Sequence, residues 1–171
     1  GSAVAAFDGR DRLVADYLRD ELLAGLDPTL VDFLLRSSVL DRLSGPLCDQ
    51  VLGTSGSGAL LEDLVRDGNL FVIPLDRERH WYRYHHLFGE LLAAELTARA
   101  PDVAADLHAE ASRWWEAHGD IEGSIGHAIA HAVEAGDLDR AADLAYLHAF
   151  DHTSHGRHAT VQLWLDLFPS D

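Results

Sequence analysis

Residues 70–84, LFVIPLDRERHWYRY, interrupt an otherwise helical pattern and indicate the class of fold. Residues 70–73 and 81–84 are short runs of β-branched and aromatic side chains, which favour strands. A charged turn at 76–79 separates them, so the stretch predicts an antiparallel hairpin that pairs 70–75 with 80–84. Pro74 lacks a backbone N–H and therefore limits the first strand to an edge or to a short length.

Helices are predicted on both sides of this hairpin. Apolar side chains recur at helical spacing over 7–26 and in three shorter segments that follow. The shorter helices have candidate N-caps at Asp27, Ser44 and Ser57, and candidate stops at Gly53 and Gly68. A further helix is predicted after the hairpin, from Leu87 to about Arg99. Short helices followed by a hairpin are typical of a winged helix, so we assign 7–100 to a winged-helix module.

Every element predicted after Pro101 is a helix. Apolar positions at helical spacing mark four segments, around 107–115, 121–132, 138–145 and 161–167. The phrase GDIE at 119–122 returns as GDLD at 136–139, a shift of 17 residues. That shift is half of the 34-residue helix pair of tetratricopeptide arrays. We therefore expect a mainly α chain in which 101–171 begin an αα-solenoid.

Two expectations follow for this solenoid. Trp114, Trp115 and Trp164 lie on the apolar faces of their helices, so they should pack in the core rather than hold a ligand. The last helix, around 161–168, should expose apolar surface because a repeat needs a neighbour to cover it. Self-association through that helix is therefore expected.

Composition and charge exclude several classes of protein. The chain has 13 basic and 29 acidic residues, giving a net charge of −16. Such an acidic chain repels a phosphate backbone, so we expect no direct contact with nucleic acid. No apolar run reaches the ~18 residues of a membrane span. The lack of a signal-peptide pattern favours the cytoplasm, and Gly1-Ser2 without an initiator Met suggests a cloning scar and linker over 1–6 of a fragment.

Three patterns resemble chemical sites but do not meet their requirements. The glycine frame at 53–58 lacks the Lys-Ser/Thr of a phosphate-binding P-loop, and the chain has no lysine. His127 and His131 have the i, i+4 spacing of metal ligands, but Ala128 stands where a zincin has its glutamate. Cys48 lies in an apolar segment and is expected to be a small buried side chain. We therefore assign no catalytic residue and no metal ligand, and we do not expect an enzyme.

The densest polar and aromatic cluster lies at 77–88, RERHWYRYHHLF. One interpretation is a wing whose aromatic side chains pack on the helices and whose arginines are solvated. The other is a contact for an anion or nucleotide, because Arg and His arrive together at the start of a helix. The chemistry of the residues favours neither interpretation over the other.

Several stretches in order resemble one family of bacterial regulators. They are FLLRSSVLDRL at 33–43, LCD at 47–49, NLFVIPLD at 69–76, WYRYHHLF at 81–88, LH at 107–108, WW at 114–115, GD at 119–120 and AIAHA at 128–132. Together they resemble the MalT-like, large ATP-binding LuxR-type transcription regulators. The resemblance covers nearly all of 7–169.

The resemblance implies a signal-transduction ATPase with several modules. A nucleotide-binding module would precede this winged helix, tetratricopeptide-like sensor repeats would follow it, and a C-terminal helix-turn-helix would read DNA. This chain would then be a regulatory hinge that couples the nucleotide state to inducer sensing and oligomerisation. Its partners would be the upstream module and the downstream repeats, with ATP or ADP bound by the full-length protein and no cofactor in this fragment.

The same resemblance suggests nucleotide-sensing residues. In related switch ATPases a histidine of a Met-His-Asp motif, at the start of the helix after the wing, contacts bound ADP. The matching residues here are Tyr84, His85 and His86, so His85 is the candidate, and Arg83 is a second candidate because a guanidinium pairs with phosphate. Two alternatives stay open: a DNA-binding winged helix that uses Arg77, Arg79 and Arg83, and a His-rich metal-binding protein.

Overall fold

The computed structural model describes residues 25–66, 71–119, 121 and 123–169. Within these ranges the chain is mainly helical with one two-stranded antiparallel sheet, as predicted. The elements in order are α1 (Pro28–Ser37), α2 (Gly45–Leu52), α3 (Ser57–Arg66), β1 (Val72–Pro74), β2 (Tyr82–Tyr84), α4 (His86–Arg99), α5 (Pro101–Ala117), α6 (Ser124–Glu134), α7 (Leu138–Ser154) and α8 (His158–Leu165).

Local capping explains where the first helices begin and end. The Asp27 carboxylate accepts a hydrogen bond from the Thr29 N–H (2.8 Å), and Pro28 occupies the first turn of α1. The Ser44 hydroxyl accepts from Leu47 N–H at the start of α2, and Gly53 ends that helix at φ 64°. The positive φ is one that glycine adopts without strain. These three caps are confirmed.

The predicted cap at Ser57 is wrong, because Ser57 is the first residue of α3 itself. Its backbone N–H donates to the Asp49 carboxylate (2.9 Å), so a side chain of α2 satisfies this helix start. The helix predicted over 7–26 and the stop at Gly68 lie outside the described residues, except for the turn at 25–26. The module boundaries 7–100 and 101–171 stay predictions.

The hairpin forms where the sequence predicts it, but its ladder is shorter. Val72 pairs with Tyr84, and Pro74 pairs with Tyr82. One further bond, from Leu75 N–H to the Trp81 carbonyl (2.8 Å), leads into the turn. Leu43 exchanges two 2.8 Å backbone hydrogen bonds with Tyr82 on the other side of β2. The segment between α1 and α2 therefore acts as a third, one-residue strand of the wing.

The helices after Pro101 pack as successive antiparallel neighbours, and the described residues beyond Pro101 contain no strand. The helix predicted from residue 121 begins only at Ser124, after Gly123 at φ 79°. Arg140 ties α7 to α5, since it donates to the Ser112 hydroxyl (3.0 Å) and to the Glu116 carboxylate (2.6 Å) of α5. The solenoid-like stacking is thus observed from α5 through α8.

One core runs through both halves of the described chain. Trp114, Trp115 and Trp164 are 7%, 1% and 4% exposed, so the prediction that they pack in the core is confirmed. Half-buried Trp81 of the wing stacks on Trp115 of α5, with ring centroids 5.6 Å apart. The winged-helix unit and the helical repeat are therefore joined by aromatic packing.

Apolar side chains remain exposed on the last two helices, α7 and α8. On α8 and just after it, Leu163, Leu165 and Leu167 are 66%, 55% and 39% exposed. Tyr146 and Phe150 of α7 are more than 80% exposed. The expected apolar surface of the last helix is therefore present. None of the helices in the described part of the chain combines the length and hydropathy that crossing a bilayer requires.

Candidate functional site

The candidate nucleotide-sensing residues lie at the junction of β2 and α4. Side chains alternate across β2, so Tyr82 and Tyr84 are buried and Arg83 between them is exposed. The ladder continues one step further, where His85 N–H donates to the Phe71 carbonyl (2.7 Å). Because residues two apart on an extended strand share a face, Arg83 and His85 leave the sheet on the same, solvent-facing side.

The residues beneath this junction hold it in place. The Tyr84 hydroxyl is hydrogen-bonded to the Ser37 hydroxyl at 2.7 Å, and Ser37 donates to the Phe33 carbonyl. Burial raises the pKa of Tyr84, so this phenol stays neutral. A Cβ on Gly89 would lie 3.2 Å from the Tyr84 Cβ, so the absent side chain lets the first turn of α4 sit against β2. The backbone that carries Arg83 and His85 is therefore rigidly supported.

His85 is the N-cap residue of α4, and its side chain makes no capping hydrogen bond. Its carbonyl accepts from Gly89 N–H (2.9 Å), but its imidazole is exposed. Within the described residues, neither the His85 imidazole nor the Arg83 guanidinium has a hydrogen bond or ion pair. Neighbouring His86 differs, because it lies 3.3 Å from the Glu90 carboxylate.

This arrangement can bind an anion. The first backbone N–H groups of α4 lack partners within the helix, and the helix dipole places partial positive charge at that end. A guanidinium and an imidazole on the same face add donors that match phosphate oxygens. Arg83 and His85 lie on one face, and both side chains are exposed and without a partner among the described residues.

Sequence reasoning missed a histidine pair. His131 does not converge with His127; its Nδ1 lies 2.9 Å from Nδ1 of His108 on α5. His127 instead stacks on Trp115, with centroids 4.4 Å apart. Burial lowers the pKa of His131 to about 3, with smaller effects from His108 and His127, and burial also lowers the pKa of His108. The i, i+4 spacing placed both histidines on one helix but could not show which partner each would meet.

The two alternative functions gain no support from the described residues. No group of three His, Cys, Asp or Glu side chains in the described ranges is positioned to hold a metal ion. The helix that follows the turn after α2, in the position of a recognition helix, is α3, which exposes Glu62 and Asp63. These carboxylates would face a phosphate backbone. At the wing, Arg77 and Arg79 alternate with acidic side chains at 76 and 78.

Cys48 and the glycine-rich loop also have structural roles. Cys48 is fully buried in α2, and burial raises the pKa of its thiol to about 12. A thiol in that state is a poor nucleophile. The loop at 53–56 connects α2 to α3 without a preceding strand, so it is a helix connection and not a phosphate cradle.

Comparison with known proteins agrees with this geometry. The MalT winged helix domain family matches residues 13–104. The HTH-type transcriptional regulator MalT of Vibrio cholerae is 37% identical over 130 residues, which is 75% of this chain and 14% of that protein. The MalT regulator of Klebsiella pneumoniae is 32% identical over 160 residues, 91% of this chain and 17% of that protein.

A second kind of relative shares the same region. The serine/threonine-protein kinase PknK of Mycobacterium tuberculosis is 32% identical over 136 residues, which is 80% of this chain and 12% of that protein. The chain thus spans less than a fifth of the length of these curated relatives. The family match covers more than half of the chain, including all the described elements of the winged helix. This chain belongs to the MalT winged helix domain family.

Proposed function

We propose that this chain is a regulatory hinge in an ATP-dependent, MalT-type transcription regulator of the LuxR class. It would couple the nucleotide state of an upstream module to inducer sensing and oligomerisation by downstream repeats. The observation that supports this role best is the junction of β2 and α4. There, Arg83 and His85 are exposed on one face at a helix N-terminus, and neither has a partner in the part of the chain that the structure describes. They belong to the module that packs directly against the helical repeat.

In this proposal His85 and Arg83 contact the phosphates of ADP held by the upstream module. The His85 imidazole donates a hydrogen bond, and the Arg83 guanidinium pairs with phosphate oxygens or with a carboxylate of that module. When the modules separate, both contacts are lost, so the resting state is stabilised only with nucleotide bound. Because Tyr84 and Gly89 hold β2 against the first turn of α4, forming or losing the phosphate contacts would affect the start of that helix.

In this proposal, different modules of the full-length protein carry out different steps of regulation. ATP chemistry and promoter binding are assigned to the other modules, so this segment is not itself an enzyme and does not contact DNA. Its partners are the upstream nucleotide-binding module and the repeats that continue from α8. A regulator of this kind acts where the chromosome is, in the cytoplasm.

The test uses the full-length protein that contains this segment. His85→Ala should reduce the amount of ADP that the purified protein retains, because one phosphate contact of the resting state is lost. For the same reason it should raise transcription in the absence of inducer. His86→Ala is the matched control, since His86 is the adjacent exposed histidine and pairs with Glu90. A single charge-assisted hydrogen bond is worth about 1.5–3 kcal/mol, so the ADP affinity should fall by about tenfold or more.

The Arg83→Gln variant should behave like His85→Ala, and the control should behave like the wild-type protein. Unchanged ADP affinity and unchanged basal transcription in both variants would remove this junction from the mechanism. Equal effects of His85→Ala and His86→Ala would point to a general disturbance of the α4 start instead of a specific contact.

A further inference from the structure

A concave site lies on the opposite side of the wing from Arg83 and His85. It is a cleft of about 580 Å³ between the wing, the N-termini of α2 and α3, and the C-terminal end of α5. We call it the wing cleft; the residues that would contact a ligand are Glu62, Glu78, Trp81, Tyr82, Trp114 and His118. Its volume is in the range of small-molecule sites, and it lies at the junction of two modules, where such sites are frequent.

Aromatic rings form the inner wall of the wing cleft. His118 stacks on Trp114 at 3.9 Å between centroids, with 14° between the ring planes. Trp81 stands almost perpendicular to Trp114, at 6.3 Å and 80°. Together with Tyr82, these side chains line one cleft with rings in two orientations. Ring faces carry negative electrostatic potential, which attracts cations.

Two of the polar groups that line the wing cleft are carboxylates without a partner among the described residues. Glu62 and Glu78 are exposed at the rim, and within the described residues neither has a hydrogen bond or ion pair. The Tyr82 side chain is 3% exposed, lines the cleft, and its hydroxyl has no hydrogen-bond partner in the described part of the chain. The pKa of Tyr82 is raised by burial and then by the nearby charge of Glu62. Glu62 and Tyr82 therefore line the same cleft close enough for the Glu62 charge to affect the Tyr82 hydroxyl.

Positive groups at the rim do not cancel this charge. Arg79 and His80 also line the wing cleft, and both are exposed. The neighbouring Asp76 carboxylate accepts hydrogen bonds from the His80 and Trp81 N–H groups. The lining therefore carries two carboxylates, one guanidinium and two imidazoles, in a chain whose overall charge is −16. The cleft favours a cation over an anion.

The walls of the wing cleft are preformed. Asp76 ties both ends of the wing turn through its two hydrogen bonds (2.9 and 2.8 Å). Arg79 is held at φ 57°, a conformation that a non-glycine residue rarely adopts and that is often found at ligand-binding sites. Gly45 and Gly58 touch at the floor, where a Cβ on Gly45 would lie 2.9 Å from the Gly58 Cα. A ligand would therefore bind without rearranging the backbone.

We propose that the wing cleft binds an organic cation with a flat amidinium or guanidinium group. The cation lies against the aromatic wall of Trp81, Trp114 and His118, donates hydrogen bonds to Glu62 and Glu78, and meets the Tyr82 hydroxyl oxygen. This binding site goes beyond the nucleotide contact proposed for Arg83 and His85 and does not depend on it. Because the cleft is built from both modules, an occupant would bridge the wing and α5.

Two sources can supply this chemistry, a free aromatic amidine and an arginine side chain of a peptide. Benzamidine represents the first and N-acetylarginine methylamide the second. Benzamide is the neutral counterpart of benzamidine, with nearly the same shape. Binding to the 171-residue chain is followed by two-dimensional amide NMR and by quenching of tryptophan fluorescence, with Trp164→Phe removing the signal of the distant tryptophan on α8.

We expect one or both cations to bind, with the largest NMR shifts at residues 78–82 and 114–118. Glu62→Gln/Glu78→Gln should weaken that binding by about tenfold or more, since two charge-assisted hydrogen bonds become neutral. Glu90→Gln is the control, because Glu90 is an exposed glutamate on α4 that does not line the cleft. Tighter binding of benzamidine would indicate a small-molecule ligand, and tighter binding of the arginine derivative would indicate a peptide.

Three results would overturn the proposal. Benzamide could bind as tightly as benzamidine, the double glutamine variant could bind like the control, or neither cation could shift the cleft resonances at millimolar concentration. The glutamates are exposed, so their isosteric replacement should leave the far-ultraviolet circular dichroism unchanged. Tyr82→Phe gives a second readout, because it keeps the ring and removes only the hydroxyl acceptor. Nucleotide retention in the full-length protein tests the other site separately.

Discussion

Acidification should destabilise this chain through His131. The side chain is 4% exposed, and its Nδ1 faces Nδ1 of His108 at 2.9 Å. Burial lowers the pKa of His131 to about 3. In the unfolded chain a histidine has a pKa of about 6.5. Between pH 6.5 and pH 3 the unfolded state therefore binds more protons than the folded state, and stability falls as the pH falls through that window.

The size of the effect follows from the two pKa values. At pH 5 the pH is about 1.5 units below the pKa of the unfolded imidazole, which is therefore protonated, while the folded imidazole is still neutral. With about 1.36 kcal/mol for each unit, His131 should cost about 2 kcal/mol of stability at pH 5 relative to pH 7.5. The result changes little if the folded pKa is 4 instead of 3, because both values lie well below pH 5.

Urea unfolding followed by circular dichroism, at pH 7.5 and at pH 5.0, measures this difference. The His131→Leu variant should lose about 2 kcal/mol less than the wild-type chain between the two pH values. Burial also lowers the pKa of His108, and this acid-sensitive contribution is present in both the wild-type and the variant chain. His86→Gln serves as the control, since His86 is exposed on α4 and should not alter the pH dependence.

Carboxylates such as Asp76 and Glu110 also lose stabilising hydrogen bonds on acidification, because their pKa values are lowered by those bonds. They contribute equally to the wild-type and variant chains and therefore do not affect the comparison. If the wild-type chain and His131→Leu lose the same free energy of unfolding between pH 7.5 and 5.0, His131 is not a buried neutral imidazole in the folded protein.

Three further predictions test packing and surface. Gly45→Ala should destabilise the chain by about 1–3 kcal/mol, because its Cβ would lie 2.9 Å from the Gly58 Cα. Gly58→Ala should cost less, because its Cβ would lie 3.6 Å from the Gly45 Cα. Equal melting temperatures of the two variants would contradict the close approach of α2 and α3. A thiol-reactive dye should label Cys48 only as the chain unfolds, and prompt labelling of the native chain would show that the thiol is accessible. Leu163→Ser/Leu167→Ser should reduce self-association in sedimentation equilibrium without lowering stability, a result that a monomeric wild-type chain would exclude.

Local sequence determined the elements of this protein. A hairpin was predictable at 70–84 because β-branched and aromatic runs flank a charged turn, and each of these preferences acts within a few residues. The caps at Asp27 and Ser44 and the stop at Gly53 are likewise short-range. Ser57 was misassigned because its N–H is satisfied by Asp49, eight residues earlier, and no local rule includes that contact.

Part of the candidate site could also be predicted from local patterns. The alternation of buried and exposed residues along β2 places Arg83 and His85 on one face once the strand is recognised. Local patterns could not predict that neither side chain has a partner among the described residues, because this depends on which side chains approach from elsewhere in the fold. The hydroxyl pair of Tyr84 and Ser37, 47 residues apart, is a contact of that kind.

Which side chains meet depends on how the helices pack. Helical spacing placed His127 and His131 on one helix, but packing turned His131 toward His108 and His127 toward Trp115. The wing cleft likewise joins residues 44 to 121 from a wing, three helices and the turn after α5, so no stretch of sequence contains it. The physical reason is range: capping and strand preferences act between neighbours in the chain, whereas burial, pKa shifts and clefts depend on the distances that packing alone sets.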